Sequence, residues 1–277
     1  MSKKALLETI EILVKEEIES LSLKEKIRSS TFNWKEFKAL PDIFKMKEYL
    51  DATLVSLSET RQKTGREGSA RKVYLLSSGK VIKLAKNNAG LAQNEAEASA
   101  SKTPDIKPAI AKVFDSDPKF FWLVSELVKP LEKSNMYRVG QFFGGDIFPT
   151  TDSFEQFAWY VWENKGDVDR SLIKFEHQQA PWLSKYNPNI GKDIKNPKVI
   201  AKLNEFFKSL LEFCQKTGSR YEDIASISSF GISAEGNLVV LDYGFTKEVG
   251  QKYYDWRTQS DIEAGAKQGY KANLNAK

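Results

Sequence analysis

Hydrophobic positions along the chain change their period twice. Over residues 3–27, Leu6, Ile10, Leu13, Val14, Ile18 and Leu21 recur at steps of three and four, the stripe of an amphipathic helix. Asn33 with Glu36 three residues on predicts a capping arrangement for a short second helix. Pro41 suits the first turn of a third, which carries Phe44 and Leu50. From about Leu54 the pattern becomes strand-like, and LVSLSETRQKTGREGSARKVYLLSSGKVIKLAK reads as three strands, with Ser78-Gly79 turning the second into the third. Asn88 is placed to cap a helix running to about Ser101, which Pro104 ends. Two further strand-like runs, 110–114 and 120–127, flank an Asp-Ser-Asp-Pro turn. The order β-β-β-α-β-β predicts an antiparallel sheet carrying one helix.

Beyond Pro130 the period returns to that of helices. Residues 153–164 predict a helix, and the Pro/Asn/Gly-rich stretch 180–197 a loop. Residues 198–217 predict a longer helix with Ile200, Leu203, Phe206, Phe207, Leu210, Leu211 and Cys214 on one wide face and Gly218 at its end. A tight hairpin follows: FGIS, the turn AEGN, then LVVLDYG.

Composition narrows the class. The 277 residues include 17 Phe, 10 Tyr and 6 Trp, an apolar content that disordered chains lack. No run approaches the roughly 18–20 apolar residues of a membrane span. The first residues, MSKKALLETIEILVKEE, show no uninterrupted apolar core or small-residue cleavage site, so no signal peptide and no membrane association are expected. Cys214 is the only cysteine and His177 the only histidine, which excludes an intramolecular disulfide and a Cys/His zinc site. A reducing, cytoplasmic location is the expectation. The net charge of +5 is concentrated: residues 61–130 carry 13 basic and 7 acidic side chains. A local positive field of this kind suits phosphate groups. A nucleic-acid partner is not expected, because no recognised binding module accompanies it.

Four features then carry candidate chemistry, in a fixed order. Gly65-Arg-Glu-Gly68-Ser69-Ala70 offers small residues whose backbone N–H groups can approach a polyphosphate. Lys83 lies between apolar neighbours in Val81-Ile82-Lys83-Leu84, awkward to bury without a carboxylate and phosphates, unless the alternation simply exposes it. The next helix supplies Glu97 as the preferred partner, although helical spacing from Leu91 turns Glu95 inward instead. Asp242, at the end of an apolar strand and before Tyr243-Gly244, is a candidate Mg²⁺ ligand. Asp223, 19 residues earlier in Tyr221-Glu222-Asp223, is placed to orient an attacking hydroxyl.

Taken together over about residues 60–246, the sequence resembles the protein-kinase-like fold, and in particular small kinase-like proteins of bacteriophages. The resemblance implies an α+β, two-lobed architecture: an N-terminal helical extension (1–56), a sheet-and-helix N-lobe (57–130), a reduced, mostly helical C-lobe (131–250) and a tail (251–277). It implies ATP and Mg²⁺ as cofactors, bound between the lobes. Lys83 would then lie on the phosphates, Glu97 pair with it, and Gly65, Gly68, Ser69 and Ala70 form the phosphate loop. Ser125-Glu126-Leu127-Val128 becomes the hinge whose backbone bonds the adenine edge, at Glu126 and Val128. Asp242 becomes the metal aspartate, Ser228 stands where the family places a metal-binding Asn, and Asp223 is the catalytic aspartate. Tyr221-Glu222 replaces the usual His-Arg, and no Ala-Pro-Glu segment follows. Two activities fit the pattern: transfer of the γ-phosphate to a hydroxyl, or an inactive pseudokinase serving as an interaction module. The N-terminal helices are the expected site of any protein partner.

Overall fold

The computed structural model describes residues 32–57, 70–76, 79–103 and 110–253; of Glu222 and Asp223 it describes the backbone alone. The expected helix over 3–27 and the glycine-rich segment from Gly65 to Ser69 lie outside the described residues. The architecture is mixed α+β, with a four-stranded and a three-stranded antiparallel sheet among helices.

Two helices open the described chain, α1 (Trp34–Lys38) and α2 (Ile43–Thr53). Asn33 caps α1 through its side chain, as its position predicts. Its own N–H donates to Tyr49 Oη rather than to Glu36. Pro41 lies one residue before the cap of α2, which is Asp42, so it steers the chain into the helix without entering it. The sheet then forms from β1 (Arg71–Leu76), β2 (Lys80–Ala85), β3 (Val113–Ser116) and β4 (Trp122–Glu126), in the order β1-β2-β4-β3. The first of the three expected strands is reduced, among the described residues, to a single bridge from Ser56 to Tyr74. Helix α3 (Asn88–Ser101) is inserted between β2 and β3, and its cap is Asn87 rather than Asn88.

Period-two alternation gives this sheet two different faces. In register, Tyr74 lies beside Ile82 and Ile82 beside Val124, and this face packs on Phe37, Met46 and Leu50 of α1 and α2. The other rows, Val73 beside Lys83 and Lys83 beside Leu123, face the opposite way, toward α3. The described part of the N-terminal extension thus shares one core with the sheet.

The rest of the chain is a second, larger core. It comprises α4 (Met136–Phe143), α5 (Thr151–Glu163), α6 (Val168–Gln178), α7 (Ala180–Leu183), α8 (Ile190–Ile194), α9 (Pro197–Thr217) and α10 (Tyr221–Ile224), while α11 (Lys247–Tyr253) packs against α3. Residues 180–197, expected as loop, contain α7 and α8; each is held by a buried apolar anchor, Leu183 and Ile190 with Ile194. The long helix α9 matches its expected span, and Gly218 ends it in the left-handed conformation at φ 70°. The smaller sheet is β5 (Lys129–Pro130), β6 (Phe230–Ile232) and β7 (Leu238–Val240). Edge-to-face phenylalanine contacts tie it to the helices, Phe154 meeting Phe230 at 5.0 Å. Cys214 is buried in this core and His177 is exposed. Among the described residues no helix is long and apolar enough to cross a membrane.

A small apolar cluster joins the two sheets: Ala111, Val128 and Val239, with Leu241 against it. The bridge from Ile110 to Val240 runs beside it. This seam brings the end of β7, and therefore Asp242, under the α3 face of the larger sheet.

Candidate functional site

Lys83 is the centre of the arrangement. It occupies the middle of β2, and its side chain is only 8% exposed because α3 lies across it. Its Nζ donates to Glu97 Oε2 at 2.7 Å and to the Leu241 carbonyl at 2.8 Å. Glu97 is fully buried and Glu95 is exposed, so the helix presents Glu97 to the lysine. The Leu91 register misleads because α3 buries a broad small-residue face, with Ala89, Gly90, Gln93 and Asn94 alongside Glu97. Gly90 permits that contact: a Cβ there would lie 2.2 Å from the Ala70 carbonyl oxygen.

Arg71 is the residue that sequence reasoning missed. It begins β1 on the same face as Lys83, and its side chain is 6% exposed. Its Nη1 forms an ion pair with Glu97 Oε1 at 2.7 Å, out of line for a hydrogen bond, and its Nη2 donates to Asp242 Oδ1. Counting two residues back from Val73, the strand partner of Lys83, was the available signal.

Asp242 lies between these cations. Its side chain touches Arg71 on one side, and 55% of it is open to solvent. Partial burial pushes its carboxyl pKa up; Arg71 and Lys83 outweigh that and hold it below the usual carboxylate range. For Arg71, burial disfavours the charge, but Glu97 and Asp242 hold its pKa above the ordinary value. Tyr243 is buried behind them and donates to the Ala111 carbonyl at 3.0 Å. Burial pushes its phenol well above the ordinary range. Gly244 lets the chain pass α3, since a Cβ would come within 2.5 Å of the Gln93 carbonyl oxygen.

The chain therefore brings Lys83, Glu97 and Asp242 together and adds Arg71. The other candidates are placed differently. Gly65, Gly68 and Ser69 lie outside the described residues, as does the side chain of Asp223 on α10. Ala70 is buried, and its carbonyl accepts from the Lys86 N–H at 2.8 Å. In the hinge segment the Glu126 N–H donates to the Lys112 carbonyl and the Leu127 N–H to the Gly79 carbonyl, so both donors are already used. Val128 is buried in the seam. Ser125 Oγ, on the Lys83 face, is buried without a hydrogen-bond partner.

Magnesium requires several hard oxygen ligands in near-octahedral geometry. Asp242 Oδ1 is held by Arg71, and the exposed Ser228 hydroxyl lies 3.2 Å from that of Ser226. No group of three or more His, Cys, Asp or Glu suited to a metal occurs among the described residues. The described donor set does not fit a divalent ion. No protein-family model matches the chain, and no curated protein matches it.

Proposed function

We propose that the chain is a kinase-like nucleotide-binding protein, holding a nucleoside triphosphate between the larger sheet and the β6–β7 hairpin. In this reading the two cores are the two lobes, and the seam of Ala111, Val128 and Val239 is the floor beneath the base. The single observation that carries the reading is the buried Lys83–Glu97 ion pair beside Asp242. A lysine buried on a central strand is costly unless its charge is used, and a triphosphate uses it.

The Arg71–Asp242 contact favours the inactive form of this reading over a phosphotransferase. An aspartate that must coordinate metal for phosphoryl transfer is already neutralised by a fixed guanidinium. The conclusion is a pseudokinase-like module that binds nucleotide without turning it over.

Thermal unfolding with and without saturating ATP, in the presence and absence of Mg²⁺, tests the binding. Ligand at about 100 times Kd should stabilise the wild type by about 2.7 kcal/mol. Lys83→Met should remove most of that gain. An ATP-independent melting point in every buffer defeats the reading, and release of phosphate or phosphorylation of an added hydroxyl acceptor defeats its inactive form.

A further inference from the structure

Arg71 has no role in the phosphate-loop, lysine and metal-aspartate scheme, yet it makes the most connected contact of the site. One guanidinium joins carboxylates 145 positions apart in the chain, Glu97 and Asp242, and Nη1 also lies 3.4 Å from Asn94 Oδ1. We propose that Arg71 takes the place of a divalent metal ion, so that the cleft binds a nucleoside polyphosphate as the metal-free anion. This inference rests on the nucleotide reading above and names the form in which the ligand is taken.

Charge is the first argument. Arg71 and Lys83 balance Glu97 and Asp242, leaving the four-residue network neutral. A divalent ion on Asp242 would have to break its contact with a guanidinium that is 94% buried and always charged, and would add two positive charges to a network that is already neutral. A polyphosphate can instead take over the Asp242 contact to Arg71, so that both cations keep an anionic partner while the displaced carboxylate faces water.

Geometry is the second. Glu97, fully buried, anchors Arg71 and Lys83 from below, one on each carboxylate oxygen. Asp242 holds the other end of the guanidinium from a position that is more than half open to solvent. An entering phosphate oxygen can replace Asp242 at Nη2, and the released carboxylate turns into water at little desolvation cost. The planar fork that suits a carboxylate suits a phosphate equally. Asp242 is then a placeholder for phosphate, which gives it the opposite sign to a metal ligand: removing its charge should strengthen binding.

Isothermal titration of ATP and of inorganic triphosphate, each in EDTA and in excess Mg²⁺, tests this on the full chain. The wild type should bind in EDTA at least as tightly as in Mg²⁺. Asp242→Asn should bind metal-free ATP threefold or more tighter, and Arg71→Gln should lose about tenfold in EDTA. Should Arg71→Gln fail to fold by circular dichroism, the exposed Asp242→Asn variant decides alone. Wild-type binding that requires Mg²⁺, together with its loss in Asp242→Asn, overturns the inference and leaves the nucleotide reading standing. Absence of binding to every protein in both buffers overturns the nucleotide reading and this inference with it.

Discussion

The two faces of the four-stranded sheet are made by alternate residues of the same strands and are buried in different materials. Toward α1 and α2, Tyr74, Ile82, Leu84, Trp122 and Val124 meet Phe37, Met46 and Leu50. Toward α3, Arg71 and Lys83 meet Glu97 and Asn94. The first face gains roughly 25 cal/mol for each Å² of apolar surface removed from water. The second must first overcome the desolvation of three charges, and apolar replacements of such networks are often neutral or stabilising. A fold that needed only stability would gain nothing by keeping the second face charged. The contrast therefore separates residues that hold the sheet together from residues that, under the proposed function, are held there for a ligand.

Removing Glu97 should give the largest effect. Glu97→Ala leaves the buried Lys83 without a carboxylate and Arg71 with the solvent-open Asp242 alone, and should cost about 3–5 kcal/mol in urea unfolding. Phe37→Ala, on the apolar face, should cost a similar 3–5 kcal/mol through lost burial and a cavity. The faces part company when the whole network is replaced: Arg71→Met, Lys83→Met and Glu97→Leu combined should recover most of the lost stability while abolishing ATP stabilisation. Failure of the triple variant to recover would mean that the charged face is structural in the same sense as the apolar one.

Acid should act on both faces through aspartates. Asp51, at the end of α2, accepts from Lys47, Lys72 and Tyr74 Oη. Burial pushes its pKa up, and those three partners outweigh it and bring it down to about 2. Asp242 is also held low, by Arg71 and Lys83. In an unfolded chain both titrate near 3.9. A carboxyl with a depressed folded pKa adds stability that is fully present above the unfolded value and is lost as pH falls through the folded one. Stability should therefore decline between about pH 5 and pH 2, measured by urea midpoints. Asp51→Asn should flatten that decline, and Asp242→Asn should flatten it less because solvent screens its open side. An unchanged acid limb in Asp51→Asn would show that its three partners do not bind it in solution.

Much of this comparison can be read from the chain. Alternation in Val81-Ile82-Lys83-Leu84 opposes Lys83 to Ile82 and Leu84, and the apolar face of α9 emerges from its spacing alone. What alternation does not reveal is whether a second layer covers a face. Lys83 looks equally suited to solvent until α3 is placed over it, and α3 carries too few large apolar residues for its packing face to be assigned. Arg71 stayed hidden for a related reason. Its partners are distant in sequence, and an arginine at a strand's first residue has the pattern of an exposed one. The short helices α7 and α8 are also illegible locally, since one or two tertiary anchors hold them against a Pro/Asn/Gly-rich composition.

The smallest expected effect tests the boundary between the two kinds of burial. Ser125 lies on the Lys83 face beside Val81, and its hydroxyl is buried without a partner. A buried polar group left unbonded costs about 1–3 kcal/mol, whereas an alanine methyl at the same place costs nothing of that kind. Ser125→Ala should therefore stabilise the ligand-free protein by about 1 kcal/mol, read as a higher urea midpoint at unchanged slope. On the apolar face the comparable group is Trp122 Nε1, which is also buried without a hydrogen-bond partner. If the hydroxyl is kept for the base of a bound nucleotide, the same variant should show a smaller melting shift with ATP than the wild type. Stabilisation with an undiminished ATP shift would place Ser125 with the structural residues and move the boundary of the ligand face back to Lys83.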